Sequence, residues 1–246
     1  MRRSTRGALG AVFILGMCAL CVRLGFWQLD RLEQRRARNA VVLAGLGAAP
    51  QPVDAALAAG ARRDPEALAY RRVSARGRFL PGAELVLRGR SEGGRPGVHL
   101  VAPLLLDGDS VVLLVNRGWV PAQDGVTPRD RPAPPPGTVS VAGILQVVPV
   151  TEDRGAPSVS TRRDTTYRRL DLGVARGRVP HPVLPVYLQA SGDTGARAMR
   201  NPPVAVPPPP LDEGPHLGYA LQWFSFALIG VVGLAVLLFR GGRRAP

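Results

Sequence analysis

The chain has 246 residues, 46% hydrophobic and 20% charged, with 25 prolines, 29 glycines, two cysteines and a formal charge of +14. The apolar fraction excludes a chain disordered throughout, glycine without a three-residue period excludes collagen, and two cysteines cannot staple so long a chain. All 32 basic residues are arginine in a sequence crowded with Ala, Gly and Pro, so the charge reflects composition bias, and with no finger-type Cys/His pairs or aromatic-basic strand the reading is no nucleic acid partner.

The first apolar run, Ala8 to Val22, follows a basic leader and looks like a signal peptide. No small-x-small cleavage site follows it, and Met17 and Leu20 are poor neighbours for a lipoprotein box, so the expectation is an uncleaved anchor. Continued through Arg23 to Leu29, it gives a predicted transmembrane helix over residues 7–29, with Arg23 snorkelling near its outer end and Trp27 at the interface.

Residues 30–215 change to Arg, Pro, Gly and Val, with alternating segments that read as strands. Tyr70–Phe79, a Pro81-Gly82 turn and Glu84–Arg88 suggest a hairpin. Val98–Leu106 and Ser110–Asn116 flank Asp107-Gly108-Asp109, a second hairpin signal. Thr138–Val148 and Pro185–Ala190 read as further strands, and Arg163–Ala175 as the one helix of the body. Residues 39–65 are Ala-rich, with room for a short helix or two. The loop Gln123–Pro136 holds five prolines, and Asn201–Pro210 holds six and reads as a stiff tether. The predicted architecture is an α+β membrane protein, two transmembrane helices flanking one predominantly β extracytoplasmic domain.

The last run, Leu217 to Phe239, has 23 residues and no charge, about 34 Å as a helix against a hydrocarbon core of about 30 Å. It defines the second predicted span, residues 217–239. Arg240, Arg243 and Arg244 follow it and Asp212 and Glu213 precede it, which puts its C-terminal end in the cytoplasm. Arg31, Arg35, Arg36 and Arg38 conflict with an outward-facing loop, but the rule weakens for long translocated domains. Two spans then place both termini in the cytoplasm and residues 30–215 outside.

No nucleophile elbow, zinc-protease motif, phosphate loop or dinucleotide fingerprint is found, so the reading is not an enzyme. Cys18 and Cys21 form a C-x-x-C inside the apolar span, where thiolates are disfavoured, and read as packing residues. His99 sits mid-strand, and His181 lies between two prolines; both read as bland. His216 stands at the mouth of the second span, and at helical spacing Tyr219 and Trp223 share its face. That face reads either as an interfacial aromatic belt or as a haem pocket, with His216 as axial ligand, Trp27 and Trp223 as walls and an arginine for a propionate. In Asn116–Trp119, Asn116 and Gly118 allow a tight turn or bulge and Trp119 an apolar anchor, while Arg117 either ties the domain together or meets a propionate.

Three segments carry a resemblance. LGFWQLDRLEQR (Leu24–Arg35), VLLVNRGWVP (Val112–Pro121) and HLGYALQWFSFA (His216–Ala227) resemble, in this order, signature blocks of the surfeit locus protein 1 family of cytochrome c oxidase assembly factors. The matching positions include Trp27, Gln28, Arg31, Asn116, Arg117, Gly118, Trp119, Tyr219, Gln222 and Trp223. The resemblance implies an inner-membrane protein that binds haem a through His216 and helps insert it into oxidase subunit I, with haem a synthase as a possible donor and membrane lipid as surroundings. The alternative is a cofactor-free scaffold that steadies the nascent oxidase subunit. Arg23 is unusual for that family's approach to the first block.

Overall fold

The computed structural model describes residues 2–108, 110–149, 159–160, 165–192 and 202–242. The chain divides into two compact units: the terminal segments, residues 1–41 with 210–246, and the central residues 42–209.

The terminal unit is a pair of helices. Helix α1 runs Arg2–Gly47, well past Leu29. The charged stretch after the apolar run is rich in Arg, Glu, Gln and Ala, all strong helix formers, so nothing stops the helix there. The last helix, His216–Gly242, starts two residues after Gly214. Segments Ala8–Gly47 and His216–Arg240 are long and apolar enough to cross a membrane, with mean hydropathy 2.1 and 2.2 over their most apolar stretches. A buried core helix would hide its apolar residues, whereas Phe13 is 70% exposed and Ile229 67%. Arg243 and Arg244 lie outside the described residues.

The central unit is a nine-stranded sheet. In chain order the strands are β1 (Gln51–Pro52), β2 (Arg72–Phe79), β3 (Leu85–Glu92), β4 (Arg95–Leu106), β5 (Val112–Pro121), β6 (Thr138–Val147), β7 (Val159–Ser160), β8 (Thr165–Tyr167) and β9 (Val183–Ala190). Strands β2-β6-β9-β5-β4 close into a barrel because β2 also pairs with β4. Helix α2 (Ala55–Arg63), capped by Asp54, and the turn Glu66–Leu68 contribute Ala58, Ala61 and Leu68 to its core, beside Leu104, Leu113, Leu145 and Leu188. Alternate residues of β5, Val112 and Leu114, belong to a second core with Ala175 of α3 (Leu172–Arg176). Burial on both faces explains the unbroken apolar run of this strand.

Two local expectations are corrected. Strands β2 and β3 do not pair with each other; they lie end to end along β4, with Gly77–Phe79 opposite Leu106–Leu104 and Leu85–Glu92 opposite Val101–Arg95. Twelve residues make β4 long enough to serve both. The helix expected over Arg163–Ala175 is instead the strand Thr165–Tyr167 and a five-residue helix that starts after Asp171, whose carboxylate accepts from the Val174 N–H at 2.9 Å. The β-branched and aromatic Thr-Thr-Tyr run pairs with β3 and β7, so strand wins over helix. Arg163 and Asp164 lie outside the described residues, as does Asp109 of the β4–β5 turn, where Gly108 has φ of 74°.

Candidate functional site

Helix α1 meets the last helix, named α4 from here, through one heptad-spaced stripe. Cys18, Cys21, Gly25, Leu32 and Asn39 are buried, and Gln28 and Arg35 are half-buried among them, at alternating spacings of three and four. The facing stripe on α4 is His216, Ala220, Trp223, Ala227 and Gly230, with Ala220 and Ala227 buried. Such spacing is the signature of two helices packed side by side. Small residues bring them close: a Cβ at Gly25 would stand 2.5 Å from the Phe224 ring, and one at Gly230 2.5 Å from Cys18 Sγ. The two cysteines thus act as packing residues with free thiols.

Where the apolar stripe ends, polar groups take over. Asn39 donates to the carbonyls of Leu211 and Asp212, each at 3.1 Å. Arg36 forks onto Glu213 with both bonds at 2.9 Å, holding that carboxyl below the usual range, and Arg35 reaches Asp212 at 3.4 Å. These five residues were not marked as a site in the sequence, although the signal was there: four arginines after one span and two acids before the other.

Between this clamp and the apolar stripe lies His216. Its Nδ1 is 2.8 Å from Oε1 of Gln28, and an amide oxygen only accepts, so Nδ1 carries the hydrogen. In the neutral ring the lone pair then resides on Nε2. Gly214 lies against that edge, where an added Cβ would stand 3.4 Å from Nε2. An imidazole fixed in this tautomer by a second group is how proteins prepare a metal ligand. Among the described residues no three His, Cys, Asp or Glu side chains gather as a metal-binding group.

The other expected residues separate. Trp223 shares the stripe with His216 and stacks edge-on against Phe226, with centroids 5.9 Å apart. Tyr219 is 49% exposed on the flank of that stripe. Trp27 points away from it, 47% exposed, with the Arg31 guanidinium 5.5 Å over its ring, while its neighbour Gln28 faces His216.

Arg117 lies in the central unit, and its side chain is only 10% exposed. It pairs with Glu84 at 3.0 Å and donates to the carbonyls of Pro132 and Ala133 at 2.8 and 3.0 Å. It is the extra residue of a bulge, since Leu100 faces Gly118 and Val101 faces Asn116. Asn116 accepts from the Gly118 N–H at 3.1 Å and its amide lies 3.3 Å from His99 Nδ1. Burial, aided by the Arg90 charge, lowers the His99 pKa to about 4. Gly118, with φ of 122°, packs against the Val204 backbone, which exchanges two hydrogen bonds with Trp119 at 2.7 and 2.8 Å. Gln189 donates to Val206 and Pro207 carbonyls, each at 3.0 Å, so the Pro-rich segment is docked along the sheet and not a free tether. Among these residues the NRGW block serves the domain's architecture. His181 is half-buried in the loop before β9.

Relatives supply the remaining comparison. A SURF1-like protein of Mycobacterium tuberculosis is 27% identical over 234 residues, 93% of this chain and 82% of that one. A SURF1-like protein of Rickettsia felis is 26% identical over 219 residues, covering 87% and 89%. One of Caenorhabditis elegans is 24% identical over 254 aligned positions, covering 93% and 73%. The SURF1 family model matches residues 15–228, a stretch that includes the whole sheet, most of α1 and the first half of α4. On that match over most of its length, the chain belongs to the SURF1 family, of the oxidase assembly-factor kind, and its two long apolar helices mark it as a membrane protein.

Proposed function

We propose that this protein binds haem a at the Gln28–His216 end of its helix pair and assists insertion of that haem into subunit I of cytochrome c oxidase. The observation that carries the reading is the hydrogen bond from His216 Nδ1 to Gln28, which leaves Nε2 as the donor atom. Haem supplies an iron with an axial position for one imidazole. Tyr219 and Trp223, one and two turns along α4 from His216, give an apolar edge, and Arg31 above Trp27 is the cation nearest in sequence to Gln28 for a propionate. Arg240 after the apolar run and the acids before it orient α4 with its C-terminal end in the cytoplasm; the central unit is then extracytoplasmic, and the membrane is the cell's inner (plasma) membrane. Haem a synthase is the natural donor in such a scheme, and the chain itself makes or breaks no bond.

The test is to co-express the protein with haem a synthesis, purify it and record its absorption spectrum beside His216→Ala. The expected result is haem in the wild type and its loss in the variant; equal haem content in both overturns the ligand assignment. The tight seam at Gly25 and Gly230 favours a second reading, a cofactor-free scaffold for the nascent oxidase subunit. That reading holds if the protein purifies empty with haem a abundant and still co-purifies with the subunit.

A further inference from the structure

Opposite its seam, α1 carries a second stripe at heptad-related spacing, Val12, Gly16, Ala19, Arg23 and Asp30, all exposed, flanked by Phe26, whose ring meets Phe224 of α4 edge-on with centroids 5.4 Å apart. A shallow groove of about 610 Å³ runs along its outer half, lined by Arg23, Phe26, Trp27 and Asp30 among others. Arg23 makes no hydrogen bond or ion pair among the described residues. It sits between the levels of two seam contacts, Cys18 with Gly230 and Gly25 with Phe224. Phe224 is seven residues (224 − 217) inside Leu217, so Arg23 is about 10 Å or more below the start of the uncharged run on α4. Its Cα–Cβ bond tilts toward the start of α1, further from that boundary. A guanidinium at that depth, facing lipid, is strongly disfavoured and calls for a partner.

We infer that this face of α1 docks a transmembrane helix of another protein, one that presents a carboxylate at the level of Arg23. Three observations select a helix. The spacing of three and four is that of a packing seam, Gly16 and Ala19 permit close backbone approach, and Arg23 and Asp30, one heptad apart on one face, match a helix bearing an acid and a base at the same separation. A second copy of this chain in the same orientation opposes arginine to arginine, and a lipid phosphate needs no heptad. The inference is independent of haem.

The probe is a fluorescent Leu/Ala transmembrane peptide with one central Glu, compared with its Gln twin, against the labelled full-length protein in phosphatidylcholine vesicles, read by energy transfer. The Glu peptide is expected to bind about tenfold more tightly than the Gln peptide. Arg23→Leu abolishes that preference and Arg23→Lys retains part of it. Equal binding of the two peptides by the wild type overturns the inference. So does a preference unchanged in Arg23→Leu, or one that disappears when phosphatidylglycerol replaces phosphatidylcholine, which assigns Arg23 to an anionic lipid headgroup.

Discussion

Gln28 and His216 are 188 residues apart in the chain and share a hydrogen bond of 2.8 Å across the helix pair. The amide sets the tautomer, and the tautomer sets which nitrogen is open. Replacing Gln28 by Leu keeps the seam's volume and removes that control. We expect Gln28→Leu to fold and to lower haem affinity about 10- to 100-fold, as for other groups that orient a metal ligand. Titration of the purified variant with haem, followed by absorbance, measures it; an unchanged affinity shows that the amide does not prepare the imidazole.

The seam makes a second expectation. A Cβ at Gly230 would press on Cys18 Sγ at 2.5 Å, so Gly230→Ala is expected to destabilise the helix pair by about 1–3 kcal/mol. Removing the sulfur makes room, and Cys18→Ala combined with Gly230→Ala should recover most of the loss, a coupling of about 1–2 kcal/mol in a double-mutant cycle. Thermal unfolding in detergent micelles reads both.

Arg117 offers a test of architecture against cofactor contact. Its ion pair with Glu84 is largely buried, so Arg117→Ala leaves that carboxylate with only the more distant Arg131, at 3.9 Å, and is expected to lower stability by about 2–3 kcal/mol, less than for a wholly unpaired buried charge. Arg117→Lys keeps the charge but not the fork that reaches two carbonyls as well, and should recover only part of this. Urea unfolding followed by tryptophan fluorescence decides; a stability unchanged in Arg117→Ala would point to a role outside the fold.

His99 makes the domain acid-sensitive. Its folded pKa is about 4, below the ordinary value of 6.5, so the unfolded chain takes up a proton first as pH falls. Its contribution is complete above about pH 6.5 and declines as pH drops toward about 4, by up to about 3 kcal/mol. The environment that disfavours the charge consists of the buried strand face, the Arg90 cation and the Asn116 amide. Chemical denaturation between pH 7 and 4 should show this slope in the wild type and a shallower one in His99→Gln.

The apolar spans and most strands were legible because their signals are local: an uncharged run for α4, alternation for β2 and β6, and a Gly-centred turn between β4 and β5. Pairing was not, since nothing near Pro81-Gly82 says that β2 and β3 will share an edge of a third strand instead of facing each other. The short helix after Asp171 was extended backward over Thr165–Tyr167, whose partners lie far off in sequence. At the site, His216 stood out by its position before an apolar run. Its partner did not, because Gln28 and Trp27 are sequence neighbours, and only the rotation of α1 decides that the amide, not the indole, faces the imidazole.

Strand β9 is the last of the barrel in the chain, yet it lies between β5 and β6. Until Val183–Ala190 has been synthesised, both neighbours hold open edges and the barrel has a gap, so β5 and β6 wait in a form prone to pair with the wrong chain. A premature stop anywhere upstream of Val183 therefore removes more than a tail: the remaining polypeptide has no closed form to adopt.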